Sequence, residues 1–242
     1  MDALKQARID LAVALRWAAR LNLSEGVCNH FSLVAPGMPG HFLINPQGFH
    51  WSEITPRHIL IVDVKGNVVE GDYTVEPGAF WIHSRIHNSQ RAHKCIMHTH
   101  MPYATALCIL ENGRLEPASQ NALRFYGRIA YDDEYTGLVT SEELGDRFLE
   151  KMGDAEIVFL ANHGVIVCAD TVAAAFEDLY YLERACMLQV IAQSTGKPLK
   201  RISHKVASET VKLMVEDRTQ AEAFLAACKR ILDREDPGWA DI

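Results

Sequence analysis

Two histidines, His98 and His100, are separated by a single residue at the end of the apolar run Cys95-Ile-Met-His-Thr-His100. The run is typical of a β-strand, in which residues i and i+2 project to the same side, so both imidazoles would face one space. Neutral imidazole is a good ligand for zinc, iron or manganese, and two rings at this spacing supply adjacent corners of a coordination shell. A surface pair or a hydrogen-bonded pair explains the same spacing equally well, so the assignment depends on a third ligand.

His163 is the candidate for that third ligand. It lies in Leu160-Ala-Asn-His-Gly-Val165, between two apolar strand-like segments, where a turn would project its side chain from the end of a sheet. We expect Gly164 to provide the backbone freedom that this turn needs. Together, His98, His100 and His163 predict a site for one divalent metal ion per chain. His83 falls on the apolar face of a predicted helix and is expected to be structural, and the other histidines considered are expected to be solvated or packed: His41, His50, His58, His87, His93 and His204.

The elements that must position these residues alternate between strand and helix. The patterns predict helices over residues 3–21, 77–86, 104–110, 140–153, 171–194 and 203–233, with Thr140 and Thr171 as N-terminal caps. They predict strands over residues 31–34, 41–45, 59–64, 68–70, 95–100, 156–160 and 165–168. Mixed elements in this order predict an α/β fold with a largely antiparallel sheet covered by helices, in a single domain over residues 1–242.

Composition narrows the class of protein. The chain has 242 residues, of which 48% are hydrophobic and 23% charged, and its formal net charge is -7. It contains no dense Lys/Arg block, which argues against nucleic acid as a partner. No apolar run reaches the ~18 residues needed to span a bilayer, and the N-terminal segment does not resemble a signal peptide. The six cysteines are scattered without a Cys-x-x-Cys pair, so we expect buried thiols and a cytoplasmic protein.

Several motifs occur in an order that resembles the class II aldolase/adducin family, specifically its adducin-like bacterial branch. They are Ile82-His83, Cys95-Ile-Met-His-Thr-His-Met-Pro102, Leu115-Glu-Pro117, Ala130-Tyr131, Gly137 and Ala161-Asn-His-Gly164. The resemblance implies a three-layer α/β/α domain with a central, mostly antiparallel sheet, assembled as a homotetramer with active sites between subunits. It also places the metal ligands at His98, His100 and His163, and it leaves the predicted C-terminal helix over residues 203–233 unassigned.

The same resemblance shows what this chain lacks. In the sugar-phosphate aldolases of the family, the metal polarises a ketone and its hydroxyl, and a nearby glutamate moves the proton. Counting back from His98 puts Ala79 at the place of that glutamate, and Pro77 and Gly78 at the place of two phosphate-binding serines. The aldolases also use a tyrosine near the C-terminus, which this chain lacks. The remaining candidates for a catalytic group are Glu76 and Tyr131.

Two turns resemble the family's anion-binding turns. Gly26-Val-Cys-Asn-His-Phe-Ser32 carries Asn29 at the position of the family's asparagine, and Asn45-Pro-Gln-Gly48 carries Gly48 at the position of its glycine. Backbone amides in such turns hold either a carboxylate or a phosphate, which makes Asn29, Gln47 and Gly48 candidate substrate-binding residues. An equally good reading makes both segments ordinary turns.

Three functions therefore remain open. The first is a divalent-metal-dependent lyase, a decarboxylase or aldolase-type enzyme that cleaves a carbon–carbon bond of a small carboxylate or carbonyl substrate, with Zn²⁺ as the expected ion and Mn²⁺ or Fe²⁺ as alternatives. The second is a non-haem iron oxygenase that uses the same three histidines. The third is a non-catalytic, adducin-like assembly module. A homo-oligomer, most simply a tetramer, is expected in each case.

Overall fold

A single mixed sheet forms the centre of the molecule. The computed structural model describes residues 2–89, 93–138, 141–216 and 218–241. The strands in these ranges are β1 (His30–Val34), β2 (His41–Ile44), β3 (Leu60–Asp63), β4 (Val68–Glu70), β5 (Cys95–Thr99), β6 (Ile129–Asp132), β7 (Ile157–Leu160) and β8 (Gly164–Ala169). They lie in the order β4-β3-β2-β1-β5-β8-β7-β6. Each described neighbouring pair is antiparallel except β6 and β7, which are parallel. The expected mostly antiparallel sheet is confirmed.

Helices cover both faces of this sheet. They are α1 (Ala3–Arg20), α2 (Pro77–His87), α3 (Pro102–Cys108), α4 (Gln120–Leu123), α5 (Glu142–Met152), α6 (Val172–Gln193), α7 (His204–Glu216) and α8 (Thr219–Glu235). Apolar residues of α2 and α5 pack on one face, and those of α1, α3, α4, α6 and α8 pack on the other. The three-layer α/β/α arrangement is therefore confirmed. Within the described residues, none of these helices combines the length and apolar character needed to cross a bilayer.

Strand alternation decides which layer each side chain of β5 enters. Cys95 and Met97 belong to the core beneath α1 and α6, whereas Ile96 belongs to the smaller core beneath α2 and α5. Successive side chains of a strand point to opposite faces, so His98 shares the face of Ile96. The candidate metal ligand on β5 therefore lies on the α2 side of the sheet, at the end of a strand that is buried along its whole length.

The cap predicted for the long helix is confirmed. The Thr171 hydroxyl oxygen accepts a hydrogen bond from the backbone N–H of Ala174 at 3.1 Å. This satisfies one of the N–H groups that the first turn of a helix leaves free. The other predicted cap, Thr140, lies outside the described residues; α5 itself begins at Glu142, directly after Ser141.

The C-terminal segment differs from the single helix expected over residues 203–233. It contains two helices, α7 and α8. Arg218, just before α8, donates hydrogen bonds from both terminal nitrogens to the buried Asp178 carboxylate of α6, at 2.9 and 3.0 Å. This contact allows Leu225 and Leu232 of α8 to pack in the core beneath α1 and α6. The helical periodicity of this segment is confirmed. Its division into two helices depends on the Arg218–Asp178 contact, which spans 40 residues of the chain and is not visible in a local pattern.

Candidate metal centre

The three predicted ligands come together at one end of β5. His98 lies in the strand, His100 follows its last residue, and His163 lies in the turn between β7 and β8. The ring centroids are 5.0 Å apart for His98 and His100, and 4.8 Å apart for each of these rings and His163. One potential ligand nitrogen from each ring lies within 4.8 Å of the other two. This near-equilateral arrangement can close around a single ion.

Close packing, rather than the expected backbone freedom, explains Gly164. A Cβ atom at Gly164 would lie 2.5 Å from the Thr99 carbonyl oxygen and 2.8 Å from Cδ2 of His100, so a side chain there would displace a ligand. The left-handed conformation of the turn is taken instead by Asn162, with φ of 56°. Asparagine tolerates this region better than most residues. The expectation that Gly164 supplies the unusual dihedral was wrong, although its place beside His163 matters for the site.

The ring nitrogens that face the centre can be identified from their partners. Nδ1 of His98 lies 3.0 Å from the carbonyl oxygen of Val165. A carbonyl only accepts, so Nδ1 carries the proton and Nε2 keeps its lone pair. In His100, Nε2 is buried without a hydrogen-bond partner, while Nδ1 lies 3.7 Å from Oε2 of Glu25. An orphaned, buried imidazole nitrogen beside two other imidazoles fits a divalent ion, and these residues therefore suit one.

The electrostatics of the site also suit metal binding. Burial, with added repulsion from His163 and His100, holds the pKa of His98 well below its usual 6.5. Burial likewise lowers the pKa of His163 to about 4, with a further contribution from His100. Charged imidazolium cannot ligate a metal, so low pKa values keep these rings in the ligating form at neutral pH.

A fourth histidine beside the triad was not singled out from the sequence. His30 of β1 is the register partner of His98, and the two rings are stacked with centroids 6.4 Å apart. Its Nε2 lies 3.5 Å from Oε2 of Glu76, the predicted catalytic candidate. Burial lowers the pKa of His30 to about 4, against the opposing effect of Glu76. The alternation of His30 and Ser32 along β1 was the available signal, but it becomes informative only when β1 is known to pair with β5.

A buried hydrogen-bond chain lies next to His30. Nδ1 of His87 lies 2.8 Å from the His93 carbonyl oxygen, so it must donate, and Nε2 of His87 must accept the Ser32 hydroxyl proton at 2.8 Å. The Ser32 oxygen then accepts from Nδ1 of His83 at 2.6 Å. Burial holds the pKa of His83 well below its usual 6.5, so the ring is neutral with a lone pair on Nε2, and it lies 6.1 Å from the ring of His30. The structure agrees with the expectation that His83 is a packed residue.

Tyr131, the other predicted catalytic candidate, is not brought to the triad. It lies on β6, which is separated from β5 by β8 and β7, and it packs against the core beneath α3 and α6. Its hydroxyl oxygen accepts the backbone N–H of Leu115 at 3.1 Å, and the Arg114 guanidinium lies 4.2 Å from its ring centroid. Burial raises the pKa of Tyr131 to about 12. These contacts are those of a residue that anchors a loop.

The predicted substrate-binding residues separate into two places. Asn29 is buried beside the triad and adopts φ of 73°, and its side-chain oxygen accepts the backbone N–H of His100 at 3.4 Å. Gln47 and Gly48 are exposed in the turn after β2, where the Gln47 N–H donates to the Thr74 carbonyl oxygen at 2.8 Å. Gly48 has φ of 85°, which favours glycine. No contact recorded among the described residues joins Gln47 or Gly48 to the histidines.

A small cavity adjoins His163. Its volume is about 40 Å³, and its lining includes Ile82, Leu160 and Arg147. Arg147 donates from both terminal nitrogens to the Asp132 carboxylate, at 2.9 and 3.1 Å. The cavity is large enough for a water-sized group beside the third ligand.

Comparison with known proteins agrees with this geometry. Residues 9–190 match the family described as the class II aldolase and adducin N-terminal domain. A Caulobacter vibrioides protein, provisionally named as an aldolase class 2 protein, is 34% identical over 98% of this chain and 92% of its own length. The crystal structure of an aldolase II superfamily protein from Pseudomonas syringae superposes with a TM-score of 0.92 at 29% identity, covering 100% of this chain and 97% of that one.

Other relatives, at similar sequence identity, have names that indicate different functions. The decarboxylase NovR of Streptomyces niveus is 31% identical over 77% of this chain and 70% of its own length. A 4-hydroxy-3-prenylphenylpyruvate oxygenase/4-hydroxy-3-prenylbenzoate synthase of Streptomyces roseochromogenus is 30% identical over 76% of this chain and 67% of its own. Alpha-adducin of Rattus norvegicus is 32% identical over 80% of this chain but only 27% of its own length. The family therefore includes proteins with different activities.

Proposed function

This chain belongs to the class II aldolase and adducin family, and on that premise we propose that it is a divalent-metal-dependent lyase. Its substrate is a small carboxylate or carbonyl compound, from which it removes carbon dioxide or an aldehyde by cleaving one carbon–carbon bond. The observation that carries the proposal is the convergence of His98, His100 and His163 on one point. Three protein ligands leave a coordination position for substrate, the usual arrangement in catalytic zinc sites.

The chemistry needs an electron sink next to the bond that breaks. A divalent ion held by the three histidines would supply Lewis-acid polarisation of a carbonyl oxygen. In a decarboxylation, the electron pair of the breaking carbon–carbon bond would pass to the adjacent carbonyl group, the carboxylate carbon would leave as carbon dioxide, and a proton would take its place on carbon. A retro-aldol cleavage follows the same electron flow but also requires removal of a proton from a hydroxyl group. Decarboxylation is the better match, because Ala79 stands where the aldolases place their base.

Glu76 and His30 are the residues that we assign to proton movement. Oε2 of Glu76 faces Nε2 of His30, and the His30 ring is stacked on His98. A proton exchanged between these two groups would lie beside the ring that stacks on His98. General acid catalysis by such a group typically contributes ~10²–10⁴-fold. Asn29, Gln47 and Gly48 remain proposed contacts for the substrate's anionic group, Asn29 from a buried position and Gln47 and Gly48 from an exposed turn.

Two other functions have specific support. The relative named as an oxygenase supports an Fe(II) enzyme at the same three histidines, since such a site can also serve dioxygen chemistry. The adducin relatives support an assembly role without catalysis. We rank the assembly role below the lyase because the buried, neutral imidazoles favour a metal-binding site. We rank the oxygenase below it because non-haem iron oxygenases typically combine two histidines with a carboxylate, whereas three histidines are typical of catalytic zinc.

We further propose that the ion is Zn²⁺, that the assembly is a homotetramer and that the protein works in the cytoplasm. Metal analysis of protein purified without added metal tests the main proposal. Zinc or manganese near one per chain supports the lyase, iron near one per chain favours the oxygenase, and protein without metal favours the assembly module. Light scattering that gives the monomer mass of 27.1 kDa at micromolar concentration would contradict the tetramer.

A further inference from the structure

The turn over residues 25–29, which precedes β1, contacts the candidate metal ligand His100 through Asn29 and Glu25. The backbone N–H of Cys28 donates to the Glu25 carbonyl oxygen at 2.8 Å, which closes the turn. Asn29 follows in the left-handed region, with φ of 73°, and is only 2% exposed. A non-glycine residue in this region is uncommon and is retained where the surroundings determine it.

Its amide group is oriented by a donor on the ligand strand. The backbone N–H of His100 donates to Oδ1 of Asn29 at 3.4 Å, and because an N–H can only donate, the oxygen of the amide must face it. A second buried asparagine, Asn45, also hydrogen-bonds to the turn. Nδ2 of Asn45 donates to the Asn29 carbonyl oxygen at 3.3 Å, and Oδ1 of Asn45 accepts the Phe31 N–H at 2.8 Å. Two buried amides thus connect β2, the turn and His100.

The same turn also contacts the ring of this ligand. Oε2 of Glu25 lies 3.7 Å from Nδ1 of His100, on the side of the ring opposite the orphaned Nε2. A carboxylate behind Nδ1 favours a proton there, and therefore a lone pair on Nε2. His98 obtains the equivalent support from the Val165 carbonyl oxygen. The imidazole of His98 is thus oriented by a backbone carbonyl, whereas His100 is oriented by the turn over residues 25–29.

We propose that Asn29 and Glu25 are positioning residues for His100, so that the turn over residues 25–29 sets the affinity of the metal site. This inference rests on the proposed metal-dependent function, and it gives Asn29 a role toward His100 in addition to its proposed contact with the substrate. Partners behind a metal-ligating histidine typically contribute ~10–100-fold to metal affinity. The turn acts through His100 and does not itself supply a ligand atom.

The test compares Zn²⁺ dissociation constants, measured by competition with a chromophoric chelator, for variants that separate the amide from the backbone. Asn29→Gly keeps a residue suited to positive φ but deletes the amide, and it should weaken Zn²⁺ binding by ~10–100-fold. Asn29→Asp keeps an oxygen acceptor and should stay within about threefold of wild type, by the same outer-shell reasoning. Asn22→Gly is the matched control, since Asn22 also has positive φ, of 58°, but is exposed. The thermal midpoint of the metal-free protein should be alike in Asn29→Gly and Asn22→Gly.

Glu25→Gln provides an independent arm, because the Glu25 side chain is 61% exposed and substitutions of exposed side chains usually change stability little. We expect a loss of about tenfold in Zn²⁺ affinity, the low end for a partner behind a metal-ligating histidine. Unchanged Zn²⁺ affinity in Asn29→Gly overturns the proposal for Asn29, and unchanged Zn²⁺ affinity in Glu25→Gln overturns it for Glu25. If Asn29→Gly does not fold, the affinity of Glu25→Gln decides whether the turn positions His100. If the wild type binds no Zn²⁺, the proposed function is overturned as well. If the wild type binds Zn²⁺ tightly and the variants bind it equally tightly, only this inference is overturned.

Discussion

The imidazole rings of His30 and His98 lie one above the other on neighbouring strands, with centroids 6.4 Å apart and planes inclined by 17°. Only one of them belongs to the described group of three histidines whose ring nitrogens converge. The other lies beside that group and faces Glu76. The sheet register thus places a candidate ligand and a candidate proton-transfer residue side by side, and substitutions should separate their roles.

The first prediction concerns that separation. His98→Ala should lower the affinity for Zn²⁺ by more than about 100-fold, because loss of a ligand exceeds the ~10–100-fold effect of an outer partner. His30→Ala should change the affinity by less than about tenfold, since its ring supplies no ligand atom. Chelator competition on both variants measures the difference. Equal losses in the two variants would mean that His30 is itself a ligand.

The second prediction concerns acid stability and the chain of His87, Ser32 and His83. Burial lowers the pKa of His87 to about 4, against 6.5 for an ordinary histidine. The unfolded chain therefore binds more protons between these values, so the stabilisation is complete above pH 6.5 and is lost as the pH falls toward 4. From pH 7 to pH 5 this ring should account for about 2 kcal/mol of the loss in unfolding free energy.

Urea unfolding of metal-free protein at both pH values gives the measurement. His87→Gln can still accept the Ser32 hydroxyl proton but does not titrate, so its unfolding free energy should fall less between pH 7 and pH 5 than that of the wild type. His50→Gln, at an exposed histidine, is the control. Parallel pH dependence of the wild type and His87→Gln would exclude His87 as a source of acid sensitivity.

The third prediction concerns the attachment of the C-terminal helices. The Asp178 carboxylate is fully buried and pairs with Arg128 at 2.7 Å and with Arg218 at 2.9 Å. Asp178→Asn leaves buried guanidinium charge without its main partner, which typically costs ~3–5 kcal/mol. Asp233→Asn removes a partly exposed partner of Lys229, and such pairs contribute at most about 1 kcal/mol. Urea unfolding should show this contrast, and hydrogen exchange should localise the Asp178→Asn effect to α7 and α8.

The sequence allowed the same-face pair of His98 and His100 to be predicted, because strand alternation is a local property. His163 needed the position of its turn and the family resemblance. His30 was missed, since its approach depends on the pairing of β1 with β5, about 68 residues apart in the chain. Tyr131 was proposed from a motif, but the order of the strands carries it away from the triad. Local pattern thus identified two of the three candidate ligands, and the long-range register decided which residues lie beside them.

The last prediction concerns the chemistry that this chain has lost. Ala79 lies in α2 at the place of the aldolase glutamate, three residues after Glu76. We expect the wild type to show no useful retro-aldol turnover of L-fuculose 1-phosphate or L-rhamnulose 1-phosphate, because a missing general base typically costs ~10²–10⁴ in rate. Ala79→Glu should retain Zn²⁺ and raise that turnover above the wild type. Its KM for the sugar phosphate should stay high, since Pro77 and Gly78 replace the two phosphate-binding serines of the aldolases.

Ala79→Gln is the matched control, because it has the size of glutamate without the carboxylate. A rise in turnover with Ala79→Glu but not with Ala79→Gln would assign the effect to a restored base, and equal turnover in the two variants would remove that explanation. Strong turnover by the wild type would show that another group already acts as the base. Glu76→Gln would then be the decisive variant, since Glu76 faces His30 beside the triad whereas Tyr131 lies on a distant strand. In that event the absence of glutamate at position 79 does not prevent aldol cleavage, while the three histidines remain the candidate ligands.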